Sequence, residues 1–259
     1  MNFPRLDLTG ARILVTNDDG INAPGLVSLF EAAQTLSDDV WVVAPESNQT
    51  GAAHSLSLSK PLRARELSQG KWALDGTPTD CVLFAARHLM QEKPPDLVLS
   101  GVNRGANLAD DVTYSGTIAA AMEGCLLGIR SIALSQAYKH PEPVKWKTAE
   151  EHAADVIRRI VEVEWSRTAL MNVNFPDVPA EAVTGMEIVR QGQREFGGQI
   201  IERLDPRGTP YYWIDIKPTE LDLKVGTDIE ALRRGAITIN PLHLDLTHES
   251  MRNRLHDTF

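Results

Sequence analysis

Asp18 and Asp19 are adjacent carboxylates, followed by Gly20 and preceded by Asn17 and the apolar run Arg12-Ile13-Leu14-Val15-Thr16. A short β-branched run that halts at two acids and a glycine reads as a buried strand delivering carboxylates to its carboxyl end. Successive side chains on an extended strand point to opposite faces. The two acids therefore meet only beyond the strand, on a turn that Gly20 permits. Two carboxylates held together repel unless positive charge sits between them, and a divalent cation is the economical answer.

Two more stretches rich in small oxygen-bearing side chains follow apolar runs. One is Pro45-Glu46-Ser47-Asn48-Gln49-Thr50-Gly51, continuing to His54 and Ser55. The other is Gly101-Val102-Asn103-Arg104-Gly105-Ala106-Asn107, after which Tyr114-Ser115-Gly116-Thr117 leads into a helical pattern. Open α/β sheets place ligands in the crevice beyond their strand ends, and parallel neighbours would bring these loops to that rim. Carboxylate, hydroxyl and amide oxygens are hard donors suited to Mg²⁺ or Mn²⁺. No His-Glu-x-x-His run and no cysteine pair competes for zinc. Ser115, Gly116 and Thr117 at a helix start offer free backbone N–H groups that suit a phosphate. Together these features point to phosphoryl chemistry. Taken singly, each has a plainer reading: a turn for Asp18-Asp19, a left-handed loop residue for Asn103, a helix cap for Ser115. His54 reads first as a surface or structurally bonded residue, with substrate contact or proton donation as alternatives. Asp110 and Asp111 read as loop-fixing groups or as support for the site.

Positioning these loops requires strands, expected at residues 12–16, 40–44, 96–100, 131–135 and 170–174. Helical spacing of apolar residues appears in Leu26, Leu29, Phe30 and Ala33, with Pro24 in the first turn. It recurs in Val82, Ala85, Ala86 and Leu89, where Thr77-Pro78-Thr79-Asp80 reads as a capping box. A third helix carries Ile118, Ala121, Met122, Cys125 and Leu126 and closes at Gly128, and a fourth is expected over residues 148–163. Strands alternating with helices predict an α/β fold with a Rossmann-like, doubly wound, mostly parallel sheet. Past residue 185 the pattern turns β-rich, with strands expected at 187–190, 211–217 and 236–239 and loops at Gly197-Gly198 and Pro206-Arg207-Gly208. Residues 57–73 read as a small hairpin. The chain is expected to be one α/β domain over residues 1–259. Its segment from about 185 to 259 either reaches a neighbouring subunit or packs on its own domain.

A net charge of −9 argues against a nucleic-acid polymer as partner. It does not exclude a small anion, because a bound cation inverts the local field. No stretch approaches the roughly 18 apolar residues of a membrane helix, and no basic-then-apolar leader opens the sequence. The only two cysteines, Cys81 and Cys125, fall in apolar helical patterns. A reduced, cytoplasmic protein is the resulting expectation.

Residues 12–20, with Ala44-Pro45, Gly51-Ala52-Ala53-His54-Ser55-Leu56, Gly76-Thr77-Pro78-Thr79-Asp80-Cys81 and Ser100-Gly101-Val102-Asn103-Arg104-Gly105, resemble the SurE family of survival-protein nucleotidases. The likeness continues through Tyr114-Ser115-Gly116-Thr117 and Ile239-Asn240-Pro241-Leu242-His243, in order along nearly the whole chain. The resemblance implies a divalent-metal-dependent phosphatase acting on nucleoside 5′- and 3′-monophosphates; some relatives also shorten polyphosphate. It places one Mg²⁺ or Mn²⁺ per subunit on Asp18, Asp19, Thr50 and Asn103. Threonine at position 50 stands where the family usually has serine; it keeps the oxygen but adds a methyl group and stiffens χ1. Asn17, Ser115, Gly116 and Thr117 would then orient the phosphoryl oxygens, with Asp18 or Asp19 available to take a proton from the attacking water. The resemblance also implies a homodimer or homotetramer with exchanged C-terminal segments. Three rivals stand beside it. An aspartyl-phosphate phosphatase needs carboxylates two apart rather than adjacent. A dinucleotide oxidoreductase needs a Gly-x-Gly-x-x-Gly after the first strand. A non-catalytic nucleotide-binding stress protein could use the same loops without turnover.

Overall fold

The computed structural model describes residues 2–220 and 224–258. Its centre is a nine-stranded sheet. From one edge the strands run Gly185–Ile188, Ala236–His243, Ala169–Phe175, Arg130–Gln136, Leu97–Arg104, Arg12–Thr16, Asp39–Pro45, Lys71–Leu74 and Ala64–Ser68. Six consecutive strands, from Ala169–Phe175 to Lys71–Leu74, are mutually parallel. In chain order they follow the doubly wound 3-2-1-4-5-6 arrangement. The chain leaves Arg12–Thr16 toward Asp39–Pro45 on one side and returns to Leu97–Arg104 on the other. The switch point therefore lies at the end of the strand that delivers Asp18 and Asp19.

Alternation along the strands divides two apolar layers. Ile13 and Val15 face helices Pro24–Gln34 and Trp146–Val161, packing with Leu26, Leu29, Val156 and Ile157. Leu14 faces the opposite layer with Val43, Leu74, Val82, Val98 and Ala120, from helices Pro78–Phe84 and Gly116–Leu126. Strands buried on both faces read as continuous apolar runs, which is why these were visible in sequence. The capping box at Thr77 is present: Thr77 N donates to Asp80 Oδ2 at 2.9 Å and Asp80 N to Thr77 Oγ1 at 3.1 Å. Among the described residues, no helix is long and apolar enough to cross a membrane.

Three expectations change. The strand expected to stop at residue 100 runs on to Arg104 through an irregular step between Ser100 and Asn103. Gly101, at φ +137°, allows this: a Cβ there would meet Leu134 O at 2.2 Å. Gly197-Gly198, expected in a loop, lies within the strand Arg194–Leu204, which pairs with Pro210–Glu220 in a separate hairpin turning at Pro206-Arg207-Gly208. The late strands Gly185–Ile188 and Ala236–His243 join the central sheet, whereas the two strands of the hairpin form a sheet of their own. The hairpin expected in residues 57–73 is confined to Ala64–Ser68 and Lys71–Leu74.

Candidate active site at the sheet switch point

Asn17 shapes the turn after the first strand. Its Oδ1 accepts from Gly20 N at 3.2 Å and its Nδ2 donates to Gly20 O at 3.0 Å. Gly20 takes φ +102° with Ser47 main chain close by. This closes the tight bend that carries Asp18 and Asp19. Asn17, expected to contact phosphate, has its amide engaged in that bend.

Asp18 is 4 % exposed. Its Oδ1 accepts from Thr117 Oγ1 at 2.6 Å. Burial pushes the Asp18 pKa up to about 6, against the lowering effect of the Thr117 bond, and the neighbouring charge of Asp19 adds to the rise. The start of helix Gly116–Leu126 abuts this carboxyl: a Cβ on Gly116 would sit 2.8 Å from Asp18 Cβ and 2.9 Å from its Oδ2. Ser115 caps that helix, accepting from Ile118 N at 3.1 Å, and the Thr117 main chain, like its side chain, acts on Asp18 to lower its pKa. Asp19 is half-buried, and its Oδ2 accepts from Arg104 N at 2.9 Å.

The other two loops are fastened to the same rim. Gln49 N donates to Asp18 O at 2.8 Å. Thr50 is exposed, and its N and Oγ1 both donate to Asn48 Oδ1, at 2.7 and 2.6 Å. Asn103 Nδ2 donates to Gly105 O at 2.8 Å, a bond that fixes the amide and leaves Oδ1 as its open acceptor. Thr16 Oγ1, at the end of its strand, and Ser100 Oγ, on the residue paired with it, are buried without a hydrogen-bond partner among the described residues. His54 bonds Glu123 at 3.1 Å, tying the second loop to helix Gly116–Leu126; this is the structural bond expected of it. Asp110 and Asp111 fix their loop: Asp110 Oδ2 accepts from Arg194 N at 2.7 Å, and Asp111 pairs with the Arg194 guanidinium. Asn107, pinned by Asn172, Asn174 and Ser135, does the same from inside.

The sequence reading did not single out Glu123, Arg104 or Trp146. Glu123 could have been found, because it interrupts the apolar pattern of its helix. Arg104 and Trp146, which line a hollow beside Asp19, leave no local signal. Larger hollows occur elsewhere, of about 420 and 500 Å³, but contain none of the residues that surround the acidic turn.

Among the described residues, no three His, Cys, Asp or Glu side chains gather as a metal cluster. The side chains expected to hold a cation, the Asp18 and Asp19 carboxylates, the Asn103 amide and the Thr50 hydroxyl, offer hard oxygens only. That chemistry fits a magnesium-type ion, which keeps several positions for water and phosphate. A desolvated carboxylate beside a second carboxylate is the electrostatic setting a cation relieves.

Fold and rim together define a Rossmann-like α/β protein with an acidic, oxygen-rich turn facing a helix N-terminus at the switch point. The family described as Survival protein SurE matches residues 13–198, and the chain belongs to that family. It is 58 % identical over 260 residues, covering 100 % of both chains, to the 5′-nucleotidase SurE of Paramagnetospirillum magneticum. It is 54 % identical over 252 residues, 95 % of each chain, to the protein of that name from Rhodospirillum rubrum. The crystal structure of the SurE protein from Aquifex aeolicus superposes with a TM-score of 0.81 at 38 % identity, covering 94 % of this chain and 97 % of that one.

Proposed function

We propose that the chain is a 5′-nucleotidase, a phosphoric monoester hydrolase that depends on a divalent cation and releases phosphate from nucleoside 5′- and 3′-monophosphates. The observation that carries this reading is the meeting of the buried Asp18 carboxyl with the first turn of helix Gly116–Leu126. Negative charge and an anion-binding helix start converge there. Full-length relatives that bear the name 5′-nucleotidase SurE support the substrate class.

Asp18, Asp19, Asn103 and Thr50 would hold one Mg²⁺ or Mn²⁺. Such an ion supplies positive charge to phosphoryl oxygens and acidifies a water. The chain's own groups do the rest. Main-chain N–H groups at Gly116 and Thr117, with the Ser115 hydroxyl, orient phosphoryl oxygens for in-line displacement. Thr117 holds Asp18 in one rotamer. Arg104 N holds Asp19 through Oδ2. Asn17 keeps the turn closed. We extend the reading to polyphosphate as a second substrate, to a cytoplasmic setting, and to a homodimer or homotetramer joined through the hairpin and C-terminal segment.

The test is phosphate release from 5′-AMP, 3′-AMP and polyphosphate after chelation, with Mg²⁺ or Mn²⁺ restored. Asp19→Asn is expected to weaken metal binding and to reduce turnover on the order of a hundredfold or more. Full activity of that variant after chelation and metal restoration would overturn the assignment. Nucleotide binding without phosphate release under any metal would favour a non-catalytic stress protein instead.

A further inference from the structure

A hollow of about 280 Å³ opens beside Asp19, lined also by Pro24, Gly25, Arg104, Val144 and Trp146. It is small for a drug-sized ligand and of a size for a single ring system. Two of its walls are flat. Trp146, half-buried, opens helix Trp146–Val161 and packs on the start of helix Pro24–Gln34. A Cβ on Gly25 would lie 2.8 Å from Trp146 Cζ3 and 1.9 Å from Val102 O, so the glycine lets the indole lie down at this spot. The guanidinium of Arg104 lies over the Tyr138 ring, 5.1 Å from its centroid, while its main-chain N binds Asp19. That bond ties the Arg104 wall of the hollow directly to the carboxylate rim.

We propose that this hollow seats the nucleobase of the substrate, stacked on Trp146 and the Arg104 guanidinium, with the ester directed past Asp19. The assignment rests on the nucleotidase reading and deepens it. Aromatic rings and guanidinium planes are the surfaces on which unpaired bases stack. Stacking accepts any base, because every base has a π-face. Val144 and Pro24 add apolar surface, and Asp19 stands at the side where the ester would leave.

The test compares 5′-AMP with ribose 5-phosphate, which carries the same ester and no base, on the full chain supplied with Mn²⁺. Trp146→Ala and Arg104→Ala are each expected to lower kcat/KM for AMP about tenfold more than for ribose 5-phosphate, chiefly through KM. Arg104 is exposed, so its variant tests the idea even where Trp146→Ala fails to fold. Trp146→Phe keeps a ring and is expected to retain most of the preference. Equal losses on both substrates, or none on either, overturn the assignment and leave Trp146 a packing residue. Calorimetric titration with adenosine separates the two readings. Adenosine binding that both alanine variants weaken about tenfold upholds the hollow even where no ester is cleaved, and in that case the nucleotidase reading fails. Absence of adenosine binding to the wild type overturns the hollow whatever the turnover.

Discussion

Thr117 Oγ1 donates to Asp18 Oδ1 at 2.6 Å, joining residues that lie far apart in the chain, and both side chains are buried. One comes from the end of the central strand and the other from the first turn of helix Gly116–Leu126. The bond fixes the carboxyl's orientation and favours its ionised form. Thr117→Val keeps the shape and removes the donor. A hydrogen bond to a charged group is worth about 1.5–3 kcal/mol. Mn²⁺ affinity by calorimetry and kcat/KM for AMP are both expected to fall about tenfold or more. Thr117→Ser is expected to restore most of each, and unchanged values in Thr117→Val would remove this bond from the working of the site.

Gly116→Ala sets two effects against each other. Alanine is the better helix former by about 1 kcal/mol in a helix interior, and less at this first helical position. A Cβ there meets the buried Asp18 side chain, 2.8 Å from its Cβ and 2.9 Å from its Oδ2, and neither group can swing away. Overpacking of this kind costs about 1–3 kcal/mol, so the clash outweighs the propensity. The variant is expected to unfold at lower urea concentration than the wild type and to lose phosphate release more than stability. A more stable, fully active Gly116→Ala would show that the helix start stands further from Asp18.

The first-turn contact also explains what could and could not be read beforehand. Runs such as Ile13-Leu14-Val15 and Ile132-Ala133-Leu134 announced themselves because a strand covered on both faces favours continuous apolar side chains. The Thr77–Asp80 capping box was equally legible, since its two bonds are local. Gly101 and Gly197-Gly198 misled for one reason: a glycine punctuates local patterns, whereas here long-range pairing carries a strand through it. The edge position of Gly185–Ile188 beside Ala236–His243 depends on pairing that no local pattern encodes. Asp18, Asp19, Asn103 and the 115–117 turn were brought to notice by residue type and order. The bonds that Thr50 and Asn17 make within their own turns were not, because an Asx turn and a ligand-ready oxygen have the same composition.

Asp18 carries a stability cost in the metal-free protein. Its pKa is raised from the ordinary 3.8 to about 6, chiefly by burial. A raised carboxylate pKa means the folded state prefers the proton, so this contribution is favourable below about pH 4 and is lost as pH rises through about 6. With each pKa unit worth about 1.4 kcal/mol, the penalty at pH 7 is on the order of 3 kcal/mol. In excess chelator, Asp18→Asn is expected to be more stable than the wild type at pH 7 by up to that amount, with the advantage vanishing toward pH 4. Urea unfolding of both proteins at several pH values checks it. A variant less stable than the wild type at pH 7 would mean that the charge is compensated within the chain.

The hairpin of Arg194–Leu204 with Pro210–Glu220 holds no strand of the central sheet. A two-stranded hairpin is marginal in water by itself. This one exposes Ile200, Tyr212 and Ile214 on one face and Trp213 with Tyr211 on the other. Trp213 is 62 % and Ile214 72 % exposed, so neither face is covered by the chain's own core. Apolar surface on both sides of an exposed arm marks an association site, and a second copy of the chain is the occupant proposed for it. The pair of substitutions Trp213→Glu and Ile214→Lys places a charge on each face. Light scattering is expected to give the mass of a dimer or tetramer for the wild type and of a single 28.5 kDa chain for the double variant. Because Arg194 at the base of the hairpin anchors Asp110 and Asp111, next to the helix that meets Asp18, loss of assembly is also expected to lower phosphate release. A wild-type protein that already runs as a single chain would refute the assignment of this arm to self-association.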